Sequence, residues 1–350
     1  MVTSPDDRVT LRTTGAHCRT ADAAGYYLVR SATDFVAVAA CVTLGPVGEQ
    51  HGARGAPAPE TLVRNSIAFA ISLLVTVLAL GLAVLIDDGT RRVAGLPLLP
   101  ALALFAFAVQ WAVYVPSFLG QTEHYYDLAG SLTYASVILL AAGLGAPDAR
   151  GWVITALVLV WCGRLGGFLF LRVRRSGKDG RFDDIKPHRG RFFMAWTFQG
   201  LWVFMTLLAA LIAVTGRAAT GWDAWATVGL AVWLAGFAIE AVADRQKSAF
   251  RADPANRGHF IRHGLWAWSR HPNYFGEITL WTGVAIMATP AMSGWQWLGW
   301  ASPVFVFWLL NRVSGIPMLE KRADATWGGQ ADYEAYKART PVLLPRPPKA

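Results

Sequence analysis

The stretch Gly264-Leu-Trp-Ala-Trp-Ser-Arg-His-Pro-Asn-Tyr-Phe-Gly-Glu277 joins two kinds of chain, and the join decides the fold. Before Pro272 lies a basic, aromatic loop; after it an apolar run begins. Proline suits the first turn of a helix, where its missing N–H would have no partner anyway. The other N–H groups of that turn carry a partial positive charge and favour an anion. Asn273 and Glu277 stand four residues apart, so a helix places them on one face. A carboxylate this close to an apolar run sits at a bilayer boundary, where it is costly unless it has a partner or a task.

Runs of the same kind recur on both sides of this stretch. The 350 residues are 54% hydrophobic and only 16% charged, with a mean hydropathy of +0.35. Soluble domains carry roughly 25% charged residues. Apolar segments long enough to span a bilayer are expected at about 65–86, 97–118, 128–146, 151–171, 193–215, 222–243, 275–291 and 295–313. The fold class is therefore all-α, a polytopic transmembrane helical bundle of about eight spans, within a range of seven to ten. Cys18, Cys41 and Cys162 are too widely spaced for a disulfide framework or a zinc site.

Charge orients the bundle. The loop 172–191 carries Arg172, Arg174, Arg175, Lys178, Arg181, Lys186, Arg189 and Arg191, and the loop 244–271 and the tail after 311 are similarly basic. The opposite side holds Arg91, Arg92, Arg150 and Arg217. The positive-inside rule then places the basic loops and both termini in the cytoplasm, in a cell or plasma membrane. With that assignment the +9 net charge is a topology signal, and no nucleic-acid partner is expected. Residues 1–60 mix Gly, Ala, Thr and Pro with scattered charge and read as a poorly ordered N-terminal extension. Residues 61–350 form one transmembrane domain that ends in a cytoplasmic tail.

Several polar clusters converge on the basic side. Gln121-Thr-Glu-His-Tyr-Tyr-Asp127 places carboxylates and tyrosines at a membrane entrance, where they could polarise a carbonyl or deliver a proton. An interfacial belt of Tyr explains the same residues without chemistry. Arg164 lies inside an apolar run and needs a reason to be there; the glycines at 166 and 167 beside it suit close helix packing. Glu240, Asp244, Lys247 and Arg251 fall on one helical stripe, either as self-neutralising pairs or as a set for ribose hydroxyls and phosphates. No G-x-G-x-x-G follows a strand pattern, no serine has His–Asp company, and the histidines are too scattered for a metal centre.

Taken in order, Tyr125-Tyr-Asp-x-x-Gly-Ser131, Arg164-Leu-Gly166, Gly177-Lys-Asp-x-Arg-Phe182, Ala243-Asp-x-Gln-Lys247, Ser269-Arg-His-Pro-Asn-Tyr-Phe-Gly-Glu277 and Tyr333-x-x-Tyr-x-x-Arg-Thr340 resemble the bacterial DUF1295 family. That family is grouped with the steroid 5-alpha-reductase and sterol-reductase membrane enzymes, and the resemblance covers about residues 65–348. It implies a bundle that holds NADPH in a cavity facing the cytoplasm and takes a lipid-like enone or alkene from the bilayer. It assigns Arg164, Asp244, Arg251, Arg270, Asn273, Tyr274, Glu277, Tyr336 and Arg339 to the cofactor, and Glu123 with Tyr126 to catalysis. A His-Pro-x-Tyr-x-Gly block also occurs in isoprenylcysteine-type methyltransferases, so a membrane methyltransferase using S-adenosylmethionine is the alternative. Those enzymes carry a Glu-Glu pair near the tail, where this chain has Leu319-Glu-Lys321. A non-enzymatic lipid-binding bundle would leave Glu240, Glu277 and Arg164 costly and without use.

Overall fold

A computed structural model describes residues 59–89, 91–176, 182–216 and 220–348. The expected N-terminal extension and the Gly177–Arg181 part of the basic loop lie outside the described residues. The described chain is helical almost throughout, in the order α1 (Pro59–Ile86), α2 (Leu98–Leu119), α3 (Tyr126–Gly145), α4 (Ala149–Ser176), α5 (Arg189–Thr215), α6 (Ala224–Ala252) and α7 (Pro272–Ala288). After two 3-10 turns come α8 (Ala301–Trp308), a π turn (Leu309–Val313), α9 (Ile316–Trp327) and α10 (Ala331–Arg339). The one sheet among the described residues is a two-residue hairpin, Arg92–Val93 against Leu96–Pro97. Ala94 and Gly95 turn it with positive φ, the geometry that matches strand twist in so short a loop.

Seven helices are long and apolar enough to cross a membrane: Leu62–Ile86, Leu98–Leu119, Tyr126–Gly145, Ala149–Gly167, Arg189–Thr215, Ala224–Ala252 and the compound helix Gly294–Trp327. The chain is a multi-pass membrane protein. The remaining expected span falls on α7, which has 17 residues and a length of about 25 Å. It still runs the depth of the bundle. It starts beside the basic loop at Pro272, and at its far end Met287 O accepts from Arg150 Nη1 at 3.1 Å. Arg150 opens α4, is 1% exposed, and also binds Gly221 O (3.0 Å) and Asp223 (2.6 Å) ahead of α6. One buried guanidinium thus ties three helix ends together.

Helix α5 is the centre. In its most apolar window 72% of residues are buried, against 33% for α1 and α6, which face outward. On α1, Leu73, Leu78 and Val84 are each at least 60% exposed, an apolar surface that only lipid would cover. α5 packs against α1, α2, α3, α4, α7 and α8.

The tightest pairing is α6 against α7, and glycine makes it. Gly229 and Gly236 on α6 meet Gly283 and Gly276 on the antiparallel α7. A Cβ at Gly236 would stand 2.5 Å from the Leu280 nitrogen, and one at Gly276 would stand 2.6 Å from the Gly236 carbonyl oxygen. Helices in lipid gain attraction chiefly from such close backbone approach, because apolar burial alone does not separate protein from lipid. This pair carries Glu240 and Asp244 on one helix and Asn273 and Glu277 on the other, so their contact fixes how these groups face each other.

Candidate active site

A cavity of about 230 Å³ opens between the helices towards the end of the bundle that carries the basic loops. Six helical segments line it. α3 contributes Tyr126, Asp127, Ser131 and Tyr134; α4 contributes Trp161; α5 contributes Gln199 and Trp202. α6 contributes Glu240 and Asp244, and the first turns of α7 contribute Asn273, Tyr274 and Glu277. The π turn after α8 and the two residues that follow it close the cavity with Leu310, Ser314 and Gly315. π turns within helices are frequent at functional sites. Gly315 is needed there for space, since a Cβ would lie 3.0 Å from the Tyr274 ring and 2.5 Å from Leu310 O.

The charged heart of the site is Arg164. Its guanidinium binds both Glu240 and Asp244, the latter at 3.1 Å. Trp161 Nε1 donates to the second oxygen of Glu240 at 3.2 Å. Asn273 stands beside Asp244 from α7, and both line the cavity. The two intramembrane charges that seemed unexplained in the sequence therefore answer each other. Glu277 is different. It is 8% exposed and lines the cavity, yet no described residue gives its carboxylate a hydrogen bond or an ion pair. Three carboxyl groups stand around the Arg164 guanidinium, with Lys247 also acting on Asp244 through space, and Glu277 is the one without an ion pair or hydrogen bond among the described residues. On the far wall, Gln199 donates to the Tyr126 carbonyl at 3.0 Å, while its own amide oxygen is buried without a partner. Gly130 makes room for that amide, for a Cβ there would be 2.5 Å from Gln199 Nε2.

The structure sorts the residues named from the sequence. Tyr126, Asp244, Asn273, Tyr274 and Glu277 reach the cavity, and Arg164 holds two of its carboxylates. Glu123 does not pair with Tyr126 at the cavity. It is buried and turned onto Lys186 at 2.9 Å, because the turn before α3 packs against the loop before α5. That hydrogen bond is the main reason the Lys186 ammonium titrates above its usual range. The Tyr126 hydroxyl is itself committed to Ala195 O at 3.0 Å.

Five of the expected cofactor residues lie outside the lining, and one of them, Arg164, stands just behind it on Glu240 and Asp244. Arg251 is exposed near the end of α6, and Arg339 is exposed on α10. Tyr336 turns inward and donates to Trp266 O at 2.7 Å. Arg270 pairs with Glu320 at 2.8 Å. These last contacts belong to a strap. The tail segment after α10 runs along the loop before α7, with Arg270 N–H on Pro341 O (2.9 Å), His271 N–H on Val342 O (3.1 Å) and Arg346 N–H on Trp268 O (2.9 Å). Burial holds the His271 imidazole below its ordinary range, with Lys247 and Arg270 adding to the effect and Glu320 opposing it. The 2.8 Å contact from His271 Nε2 to Glu320 is then an N–H donated by a neutral ring, with Arg270 as the cation of the pair.

Trp161, Gln199, Trp202 and the π turn were not singled out as site residues from the sequence. Gln199 gave the clearest signal, as a lone amide inside the apolar run of α5.

Comparison with known proteins adds the family. A family model described as "Protein of unknown function (DUF1295)" matches residues 113–340, which include every residue of the cavity. An uncharacterized protein of Schizosaccharomyces pombe is 25% identical over 210 residues, covering 50% of this chain and 60% of that protein. The chain thus spans less than two thirds of that curated relative. No solved structure matches the chain. With the cavity and most of the bundle inside the matched range, the chain belongs to the DUF1295 family.

Proposed function

We propose that the chain is a membrane-embedded reductase that uses NADPH to reduce a carbon–carbon double bond, conjugated to a carbonyl, in a lipid-like molecule. The observation that carries this reading is the Glu277 carboxylate, buried beside a cavity and unpaired among the described residues. The motif order resembles the steroid reductases, and the cavity lies among the spans, which suits a substrate arriving through the bilayer.

The lining fits one end of NADPH. A carboxamide and ribose hydroxyls need carboxylate and amide partners, and Glu277, Asn273, Asp244 and Gln199 supply them. No Lys or Arg lines the described part of the cavity, because Arg164 is committed to Glu240 and Asp244. The phosphates would be met outside it, at the basic end of the bundle where Arg251, Arg270 and Arg339 stand. When bound, NADPH supplies a hydride, two electrons with one hydrogen, and leaves as NADP⁺. The chain's own residues then do the rest. Glu277 accepts hydrogen bonds from the carboxamide or ribose and fixes the ring's position. Tyr134 takes the role that the sequence offered to Glu123 and Tyr126. The one hydrogen bond its hydroxyl makes among the described residues is a long 3.5 Å contact to Trp202 O. It would donate to the substrate carbonyl as the negative charge of an enolate collects there, a type of stabilisation that usually dominates such steps. The proton that completes the reduction comes from solvent through the open end.

One observation favours the methyltransferase as a second reading. Excess carboxylate beside Tyr126, Tyr134, Trp161 and Trp202 also suits a cation such as a sulfonium.

The test is turnover with a sterol-like enone in detergent, followed by NADPH consumption. Tyr134→Phe should lower kcat about a hundredfold, the range of a lost donor at a developing oxyanion, and leave NADPH binding intact. Glu277→Ala should weaken NADPH binding about tenfold, as for a lost charge-assisted hydrogen bond. Parent-like behaviour of both variants in both assays would refute this assignment.

A further inference from the structure

A second polar site lies away from the cavity and shares no lining residue with it. Arg64 and Asn65 on α1 face His188 and Arg191 at the start of α5, around a small pocket of about 20 Å³. The helices meet closely here. A Cβ at Gly190 would stand 2.7 Å from Asn65 O, and Asn65 Oδ1 accepts the Gly190 N–H at 3.0 Å. That bond uses one free N–H of the α5 amino end; His188 stands at the cap position and gives no side-chain cap.

The unusual member is Arg191. It is 2% exposed, and its Nε and one terminal nitrogen are buried without any hydrogen-bond partner. Neither Arg191 nor Arg64 has an ion pair among the described residues. Asp184 acts on Arg191 through space without forming one. Burial and the two guanidinium groups hold the His188 imidazole below its usual range. A buried guanidinium with bare N–H groups is expensive unless an anion completes it. Two arginines, a histidine and a helix amino end make a pocket for a group with several negative oxygens.

We propose that this pocket binds a phosphate group between α1 and α5 at the basic end of the bundle. The pocket has room for one or two oxygens, so the group seats its oxygens and leaves its substituent outside. The surroundings favour a phospholipid headgroup over free phosphate. Leu62, Val63 and Ile67 flank Arg64 on α1 and are 43%, 58% and 41% exposed, so acyl chains would run along the outward face of α1. Basic groups at a membrane surface attract anionic lipid for the same reason.

The experiment is thermal unfolding of delipidated, detergent-purified protein with dioleoylphosphatidylglycerol, with dioleoylglycerol and with inorganic phosphate. A ligand that binds only the folded state raises Tm by mass action. Phosphatidylglycerol should raise Tm where dioleoylglycerol does not, and Arg64→Gln should need about tenfold more lipid for the same rise. Arg64 is only partly buried and has no ion pair among the described residues, so this variant should fold like the parent, while Arg191→Gln serves as the second probe. If inorganic phosphate raises Tm as well as the lipid does, the site stands with free phosphate as its ligand. If neither stabilises the parent, or if both variants respond to the lipid as the parent does, the proposal is overturned. The cavity is separate, so any NADPH response should be unchanged in Arg64→Gln.

Discussion

At the scale of single residues, what separates structural groups from site groups is which polar atoms are already satisfied. Arg164 could be read from the sequence as an intramembrane cation needing a reason, and Glu240 as an acid needing a partner. Their pairing could not be read, because 76 positions separate them and only the folded bundle brings α4 against α6. Glu123 lies away from the cavity lining, on a partner the sequence did not announce. Its spacing from Tyr126 looked like a site, but the loop before α5 supplies Lys186, which no local pattern announces. His271 gives a prediction at this scale. Folded, its imidazole titrates below the ordinary range because it is buried, whereas in the unfolded chain it takes a proton near pH 6.5. Between those values the unfolded state binds more protons, so stability rises with pH there. The contribution is complete above about pH 6.5 and is lost as pH falls below it. Melting curves from pH 7.5 to 5.5 should show Tm falling in the parent and falling less in His271→Gln. Parallel declines would remove His271 as the group responsible.

At the scale of elements, most apolar runs were legible to within a few residues, although α6 continues past the expected end at 243 to Ala252, and Pro272 marks the start of α7 as its chemistry requires. Two features were not legible. α7 has the 17 residues expected of it but lies three residues earlier, starting at Pro272 and giving way to a 3-10 turn at Thr289–Ala291. The segment expected at 295–313 is a composite, in which a 3-10 stretch, α8 and the π turn follow one another. Hydropathy records length and apolarity, and it does not distinguish these windings. The glycines at 229, 236, 276 and 283 do show in the sequence as two pairs seven apart, but their partnership across helices needs the structure. Gly236→Ala should push α6 from α7 and lower stability by about 1–3 kcal/mol, as overpacking does. Gly163→Ala is the control. Nothing lies within 4 Å of a Cβ there, and alanine in a helix should be neutral or stabilising by up to about 1 kcal/mol. Equal losses from both variants, read by unfolding in detergent, would contradict the close α6–α7 contact.

At the scale of the whole molecule, the polar groups of the cavity and the basic loops lie at one end, while Arg150 ties the other. The motif order in the sequence pointed to this end through Asn273, Glu277 and Asp244, but the aromatic wall and Gln199 came from helices whose apolar pattern hid them. The distribution of Lys and Arg predicts that the cavity end faces the cytoplasm. In a chain whose cysteines have been replaced, Trp222→Cys should react with a membrane-impermeant maleimide in intact cells. Gln330→Cys, on the tail, should react only after permeabilisation. The reverse pattern would place the cavity on the outside.

The most direct test of the central claim is thermal unfolding of the purified protein with NADPH, NADH or S-adenosylmethionine. The reductase reading predicts that NADPH raises Tm selectively, and that Glu277→Ala and Asn273→Ala reduce the rise while remaining folded. A rise with S-adenosylmethionine alone would contradict it and would make the acidic, aromatic cavity a site for a methyl donor.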